Sequence, residues 1–87
     1  MSRSKFNSDS SVTGTGWTLI AFGFNPSTLI SISADAGNSD DLYVSWDGSN
    51  IHYRLKAGEP LNLTNDSTSQ LWLKPKSGTQ SYRLLAY

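Results

Sequence analysis

The chain contains no cysteine and a single histidine, His52, among its 87 residues. Disulfide bridges are therefore excluded, and a zinc site built from Cys and His lacks its ligands. Domains this small often need disulfides, metals or oligomerisation, because their cores are small relative to their surfaces. Since the first two are missing, oligomerisation is the remaining source of stability, and we expect the chain to bind copies of itself.

Net charge and long apolar runs are also missing. Seven basic and seven acidic residues give a formal net charge of zero, so the chain has no long-range field that would gather nucleic acid or an anionic membrane. No run approaches 18 consecutive apolar residues, and the N-terminus lacks the apolar segment of a signal peptide. We expect no nucleic-acid partner, no membrane partner and no secretion signal.

What the sequence does contain is a regular alternation of apolar and polar residues across 42–63. Alternation with a period of two predicts strands, because successive side chains point to opposite faces. The alternation breaks at 47–50 (Asp-Gly-Ser-Asn), a hairpin signal, and at 57–60 (Ala-Gly-Glu-Pro). This predicts three consecutive antiparallel strands. Together with later strands, the predicted core is Leu42, Val44, Trp46, Ile51, Tyr53, Leu55, Leu61, Leu63, Leu71, Leu73 and Leu84.

The N-terminal third divides into two different segments. Residues 1–15 are mostly Ser, Thr, Asn, Asp and Gly, which predicts a flexible arm preceding a domain at 16–87. Phe6 is either part of a frayed terminus or an anchor on a neighbouring chain. Residues 17–24 (WTLIAFGF) are apolar on both faces, which predicts a strand buried on both sides, with one side available to another subunit.

Turn signals recur every eight to twelve residues, and no segment predicts a helix. About seven short strands result, including an alternating one at 28–34 and a last one at 81–87. Such a pattern predicts an all-β fold, a small antiparallel β-sandwich with jelly-roll or Greek-key-like connections.

No residue pattern indicates catalysis. A nucleophilic serine needs a base, yet His52 lies on the polar face of a predicted strand, and no G-x-S-x-G motif occurs. Asp35, Asp40 and Asp41 carry the oxygens that calcium prefers, but their spacing does not match a calcium loop. The glycines form no nucleotide-binding signature. We therefore expect no enzyme activity, no cofactor and no metal.

Exposed aromatic residues are the remaining candidates for function. Trp72 lies between Leu71 and Leu73, and so points outward if those leucines point inward. It is then partly covered by a loop, part of a subunit contact, or a stacking platform for a sugar ring. The predicted contact residues, for an oligomer or a larger partner, are Phe6, Trp17, Phe22, Phe24, Trp72 and Tyr87.

Three segments carry a resemblance to a known class of proteins. They are YVSWDG at 43–48, LKAGEPLNL at 55–63 and LWLKPKSGT at 71–79. In these segments the chain resembles small virion structural proteins of tailed bacteriophages, namely capsid decoration or cement proteins and related head or tail accessory proteins. The resemblance covers about the second half of the chain.

The resemblance implies a non-enzymatic virion protein that binds the outside of a phage capsid as a symmetric oligomer and stabilises the shell. Its implied partners are the major capsid protein and itself, as a homotrimer or alternatively a dimer. It would be made in the host cytoplasm and located on the capsid surface. The alternative is a carbohydrate- or receptor-binding β-sandwich module of a phage tail.

Overall fold

The computed structural model describes residues 6–23, 29–64 and 69–86, and these residues form two four-stranded antiparallel sheets. Sheet A has the strand order β1-β8-β3-β6 and sheet B the order β2-β7-β4-β5. The strands are β1 (Phe6–Thr13), β2 (Thr18–Ala21), β3 (Leu29–Ala34), β4 (Leu42–Ser45), β5 (Tyr53–Leu55), β6 (Pro60–Thr64), β7 (Gln70–Pro75) and β8 (Thr79–Ala86). The described segments include no helix that could cross a membrane.

This strand order is that of a jelly roll. Strands 1, 8, 3 and 6 lie in one sheet and strands 2, 7, 4 and 5 in the other, as two Greek keys folded onto each other require. The all-β sandwich expected from the turn spacing is confirmed. Of the two connection schemes that the sequence left open, the structure has the jelly roll.

The core lies between the sheets and follows from side-chain alternation. Strands β3, β7 and β8 alternate buried and more exposed residues along their whole length, so one face of each strand points inward. The buried apolar residues are Val12, Ile20, Phe22, Ile30, Ile32, Ala34, Leu42, Val44, Leu55, Leu71, Leu73, Tyr82, Leu84 and Ala86.

Most of the predicted core is confirmed. The buried members are Leu42, Val44, Leu55, Leu71, Leu73 and Leu84, and the partly buried members packed against them are Trp46, Leu61 and Leu63. The prediction is wrong at Tyr53, which is 38% exposed, and Ile51 is only half-buried. Ile51 precedes β5 and Tyr53 begins it, and β5 is a three-residue edge strand that has only β4 as a neighbour.

The three consecutive strands predicted for 42–63 form only one hairpin. Strands β4 and β5 pair in sheet B, whereas β6 pairs with β3 in sheet A. The turn between β5 and β6 therefore carries the chain from one sheet to the other. Two bonds hold it there, since the Gly58 N–H donates to the Ala34 carbonyl (3.0 Å) and the Ala34 N–H donates to the Glu59 carbonyl (3.0 Å).

The N-terminal segment also differs from the prediction. Residues 6–13, expected to belong to a flexible arm, form β1 and pair with β8 along all eight positions, from Phe6 opposite Ala86 to Thr13 opposite Thr79. A serine-rich segment forms a strand here because β8 supplies a complete row of backbone partners. Val12 adds a buried side chain at 3% exposure.

Strand β2 is buried on one side only. Ile20 and Phe22 point into the core, while Leu19 is 50% exposed. One of the two sides expected to be buried is therefore covered within the chain, and burial of the other by a subunit stays a prediction. Alternation separates the apolar residues of this segment into an inner and an outer set, and the outer set lies on the free face of sheet B.

The inward assignment of β3 predicts a sharp difference between neighbouring residues. Replacing fully buried Ile32 (Ile32→Ala) is expected to lower the free energy of unfolding by about 2–5 kcal/mol, because it leaves a cavity between the sheets. Ser33 lies beside it on the outer face, and Ser33→Ala should change the free energy by about 0.5 kcal/mol or less. Urea unfolding monitored by circular dichroism measures both, and equal losses would contradict the assignment.

Candidate interaction surface

The outer face of sheet B carries Trp17, Tyr43 and Trp72, three aromatic residues that do not enter the core. Strand pairing arranges them in rows: Leu19 lies opposite Trp72, and Tyr43 lies between Lys74 and Arg54. We call this surface the aromatic face. It comprises Trp17, Leu19, Tyr43, Arg54, Trp72 and Lys74.

Two cations of the aromatic face lie against aromatic rings. The Lys74 ammonium is 4.9 Å from the centre of the Trp17 ring, and the Arg54 guanidinium carbon is 5.9 Å from the centre of the Tyr43 ring. Both distances are within the range of cation–π attraction. The aliphatic stems of such residues cover apolar surface while their charges stay in water, so the face combines apolar area with a positively charged rim.

Leu19 is the most exposed large apolar side chain of the described residues, at 50%. It lies on β2, at the edge of sheet B, next to half-buried Trp72 on β7. A single exposed leucine is ordinary on a protein surface. It lies opposite Trp72 and two residues from Trp17, and a group of neighbouring apolar side chains is more typical of a binding surface than a single one.

The loop between β4 and β5 is organised by one carboxylate. Asp47 Oδ1 accepts the main-chain N–H groups of Ser49 (2.8 Å) and Asn50 (2.9 Å), and Oδ2 accepts the Asn50 side-chain amide (2.8 Å). The Ser45 hydroxyl donates to Asp47 Oδ1 (2.9 Å) and accepts the N–H of Gly48 (3.0 Å). Ser45 is completely buried under this loop.

The same loop covers part of Trp72. Gly48 has a φ of +75°, and a Cβ added to it would lie 3.1 Å from Cε2 and Nε1 of the Trp72 indole. Glycine is therefore needed both for its backbone conformation and for the close approach to the ring. Of the three interpretations of Trp72, the partly covered ring under a loop is the one that the geometry shows, and it leaves the remaining ring surface available for a contact.

The predicted contact residues are thus distributed over different parts of the molecule. Trp17 and Trp72 lie on the aromatic face. Phe6 and Phe22 contact each other instead, with ring centres 5.4 Å apart, and Phe22 is buried. Phe24 and Tyr87 lie outside the described residues. The sequence prediction did not include Leu19, Tyr43, Lys74 or Arg54, whose positions depend on the pairing of β2, β7, β4 and β5.

The outer face of sheet A is of a different character. Ser31 donates to Asn62 (2.8 Å), and Asp9 and Arg83 form an exposed ion pair (3.2 Å). Next to the ion pair is an open polar cleft of about 310 Å³. It is lined by Asp9, Ser33, Ala34, Asp35, Ala36, Gly58, Ser81, Tyr82 and Arg83. Water solvates such a surface well, so sheet B presents the face that gains most from being covered.

Three of the ionisable residues considered for chemistry accept hydrogen bonds from different groups. His52 accepts the Trp46 N–H at Nδ1 (3.0 Å), and Asp35 accepts the Gly37 N–H (3.1 Å). Asp40 accepts the Ser77 hydroxyl (2.7 Å), a bond that holds the pKa of Asp40 below its ordinary value. Among residues 6–23, 29–64 and 69–86, no three acidic or histidine side chains are grouped to hold a metal ion.

The chain matches none of the protein-family models, curated proteins or solved structures with which it was compared. The candidate surface is therefore defined by its own geometry: an apolar area at the edge of sheet B, a cationic rim, and a loop fixed over one end of it.

The Asp47 loop predicts a specific dependence of stability on pH. Its hydrogen bonds, first those from the Asn50 and Ser49 main-chain N–H groups, hold the pKa of Asp47 far below the ordinary 3.8. Above pH 3.8 both the folded and the unfolded chain carry the charge, and the full stabilisation is present. As the pH falls further, the unfolded chain binds the proton first, so stability is lost towards the folded-state pKa. Asp47→Asn should weaken the fall of the free energy of unfolding between about pH 4 and lower pH, whereas Ser49→Ala should leave that fall unchanged, because the Ser49 main-chain N–H remains. Urea unfolding at a series of pH values measures both.

Contact between the loop and Trp72 can be tested with two alanine substitutions. Gly14 also has a positive φ (+91°), but a Cβ added there would meet no atom within 4 Å, so Gly14→Ala should cost about 1–2 kcal/mol from backbone conformation alone. Gly48→Ala should cost more and should also shift the tryptophan emission, because the new methyl group displaces the Trp72 ring. An unchanged emission spectrum for Gly48→Ala would contradict the contact.

Proposed function

We propose that the chain is a non-enzymatic virion structural protein that binds the outside of a phage capsid as a symmetric homo-oligomer, using the aromatic face as its contact surface. The observation that carries the proposal is the row of half-exposed Leu19 beside Trp72 at the edge of sheet B. Aromatic residues and arginine are enriched in protein interfaces and provide much of their binding energy.

The phage resemblance supports this proposal at the level of individual residues. Tyr43 belongs to the segment YVSWDG, and Trp72 and Lys74 belong to LWLKPKSGT. Strand pairing brings these two segments side by side, with Tyr43 opposite Lys74. The residues that carry the resemblance therefore supply a large part of the aromatic face. The jelly roll also suits the role, but lectins and cupins share it, so the fold alone does not select a function.

A neutral, cysteine-free domain of this size is well suited to such a role. Its zero net charge imposes no overall repulsion between copies placed close together on a shell. Covering the aromatic face would remove apolar area from water at about 25 cal/mol per Å² before the costs of association are subtracted. Binding to the shell would then stabilise the folded chain, because a partner that binds only the folded state shifts the equilibrium towards it.

Glycan binding is the competing role for the same face. A sugar platform needs an accessible ring face, whereas Gly48 lies directly against the Trp72 indole. The remaining apolar area, at Leu19 and beside Trp17, is better suited to a protein partner, because leucine offers no planar surface on which a sugar ring can stack.

The proposal predicts that a charge placed on the aromatic face weakens the association of the chain with shells. Leu19→Asp should lower retention of the chain on purified shells of the phage that encodes it by at least about tenfold, since a burial of about 1.5–3 kcal/mol is lost and a charge is placed in the contact. Co-sedimentation over a concentration series measures the retention. The control is Asn62→Asp, which adds the same charge on the outer face of sheet A and can still accept the Ser31 bond.

Three results would contradict the proposal. They are wild-type chain that does not sediment with shells, equal losses for Leu19→Asp and Asn62→Asp, and a glycan that quenches tryptophan emission in wild type but not in Trp72→Ala. The last result would favour the tail-module alternative. A wild-type chain retained on shells, with only Leu19→Asp released, supports the aromatic face as the contact.

A further inference from the structure

The backbone of β2 has hydrogen-bonding groups directed away from its own sheet. The Phe22 N–H donates to the Ser69 carbonyl (3.0 Å), continuing the register in which Ile20 lies opposite Leu71. In an antiparallel pair, bonded and non-bonded positions alternate. Residues 18, 20 and 22 therefore direct their backbone groups towards β7, and residues 17, 19 and 21 direct theirs outward. Within the described residues, no strand pairs with β2 on that side.

The other three sheet edges are less suited to pairing. Strand β6 begins at Pro60, which has no N–H to donate, and β5 is only three residues long and includes Arg54. Proline, charge and short length are common protections of edge strands. Strand β1 is long but has a polar sequence, FNSDSSVT, with the charge of Asp9 near its middle. Strand β2, TLIA, has neither a charge nor a proline.

The β2 edges of two copies are also complementary to each other. When a second copy is placed antiparallel with Leu19 opposite Leu19, Trp17 of each chain lies opposite Ala21 of the other. A large side chain then meets a small one on the outer face, and the two half-exposed leucines cover each other. In this register every pair on the free edge is of the bonded type, so the N–H and C=O groups of residues 17, 19 and 21 all find partners.

We propose that two copies of this chain pair through their β2 edges about a twofold axis beside Leu19, joining both B sheets into one continuous eight-stranded sheet. The second copy fits this edge better than an unrelated strand, since the same residues satisfy both sides of an isologous contact. Pairing places two aromatic faces side by side as one larger surface. The inference rests on the proposed function and assigns to it a symmetry and a register.

The register is tested by cross-linking, because the chain has no cysteine of its own. Opposed Cα atoms in a bonded antiparallel pair lie about 5.5 Å apart, within the range of about 4.4–6.8 Å that a disulfide spans. Leu19→Cys is therefore expected to form a covalent dimer under mild oxidation. In the same register the two copies of residue 21 are four residues out of alignment, roughly 13 Å, so Ala21→Cys should stay monomeric on a non-reducing gel.

A second pair of variants separates edge pairing from packing through the face. Ala21→Pro removes an outward N–H but no large side chain, and proline is tolerated on the free side of an edge strand. Circular dichroism first confirms that this variant remains folded. Light scattering should then give a dimer for wild type and for Asn62→Asp, and a monomer for Ala21→Pro and for Leu19→Asp.

Each alternative result decides a different point. A trimer in solution, a dimer unaffected by Ala21→Pro, or cross-linking of Ala21→Cys but not Leu19→Cys overturns the edge pairing and leaves the proposed function intact. A wild-type monomer that is still retained on shells overturns the pairing and indicates that a capsid strand occupies the edge instead. If the wild-type chain forms the dimer but is not retained on shells, the proposed function is overturned and the edge pairing stands.

Discussion

Strand β7 is the element on which both the core and the proposed contact surface depend. Its alternation places Leu71 and Leu73, both completely buried, between the sheets and places Trp72 and Lys74 on the outside. A shift of one residue in the pairing register of β7 would turn the leucines outward and the other two side chains inward. The cost of exposing them fixes the register, and the register in turn positions Trp72 beside Leu19 and Lys74 beside Tyr43.

Two features outside β7 also distinguish the aromatic face from the opposite side of the molecule. The Asp47 loop closes over Ser45 and one side of Trp72, which fixes one end of the aromatic face without covering Leu19. The outer face of sheet A is rich in hydroxyl and amide groups and carries an exposed ion pair. The two outer faces therefore differ in the free energy that covering them would gain, and the larger gain is expected for the aromatic face.

The sequence predicted the fold well wherever the information was local. Alternation placed Leu71 and Leu73 of β7 and Leu84 of β8 in the core, and Asp47-Gly48 marked the hairpin between β4 and β5. It did not locate β1, because a polar strand is specified by its pairing with β8 some 70 positions away. Nor did it show that β5 and β6 belong to different sheets, since a turn with glycine and proline is compatible with either arrangement.

Prediction of the candidate site was limited in the same way. Trp17 and Trp72, predicted as contact residues from their type and position, lie on the aromatic face, whereas Phe22 is buried and Phe6 packs against it. Leu19 belongs to an apolar run in which alternation cannot identify the outward residues. Only pairing with β7, through Ile20 opposite Leu71, settles which side faces solvent. Surfaces composed of rows across several strands depend on long-range register, which short sequence motifs do not encode.

In the proposed assembly, the aromatic face is the part of the molecule that a shell would cover. Hydroxyl-radical footprinting of the free chain and of the shell-bound chain, read by mass spectrometry at each residue, tests it directly. If the aromatic face is the contact, Tyr43 and Trp72, which lie away from the proposed twofold axis, are strongly protected on binding, and labelling of Leu85, partly exposed on the outer face of sheet A, is unchanged. Protection of Leu85 with Tyr43 and Trp72 still labelled would contradict this assignment.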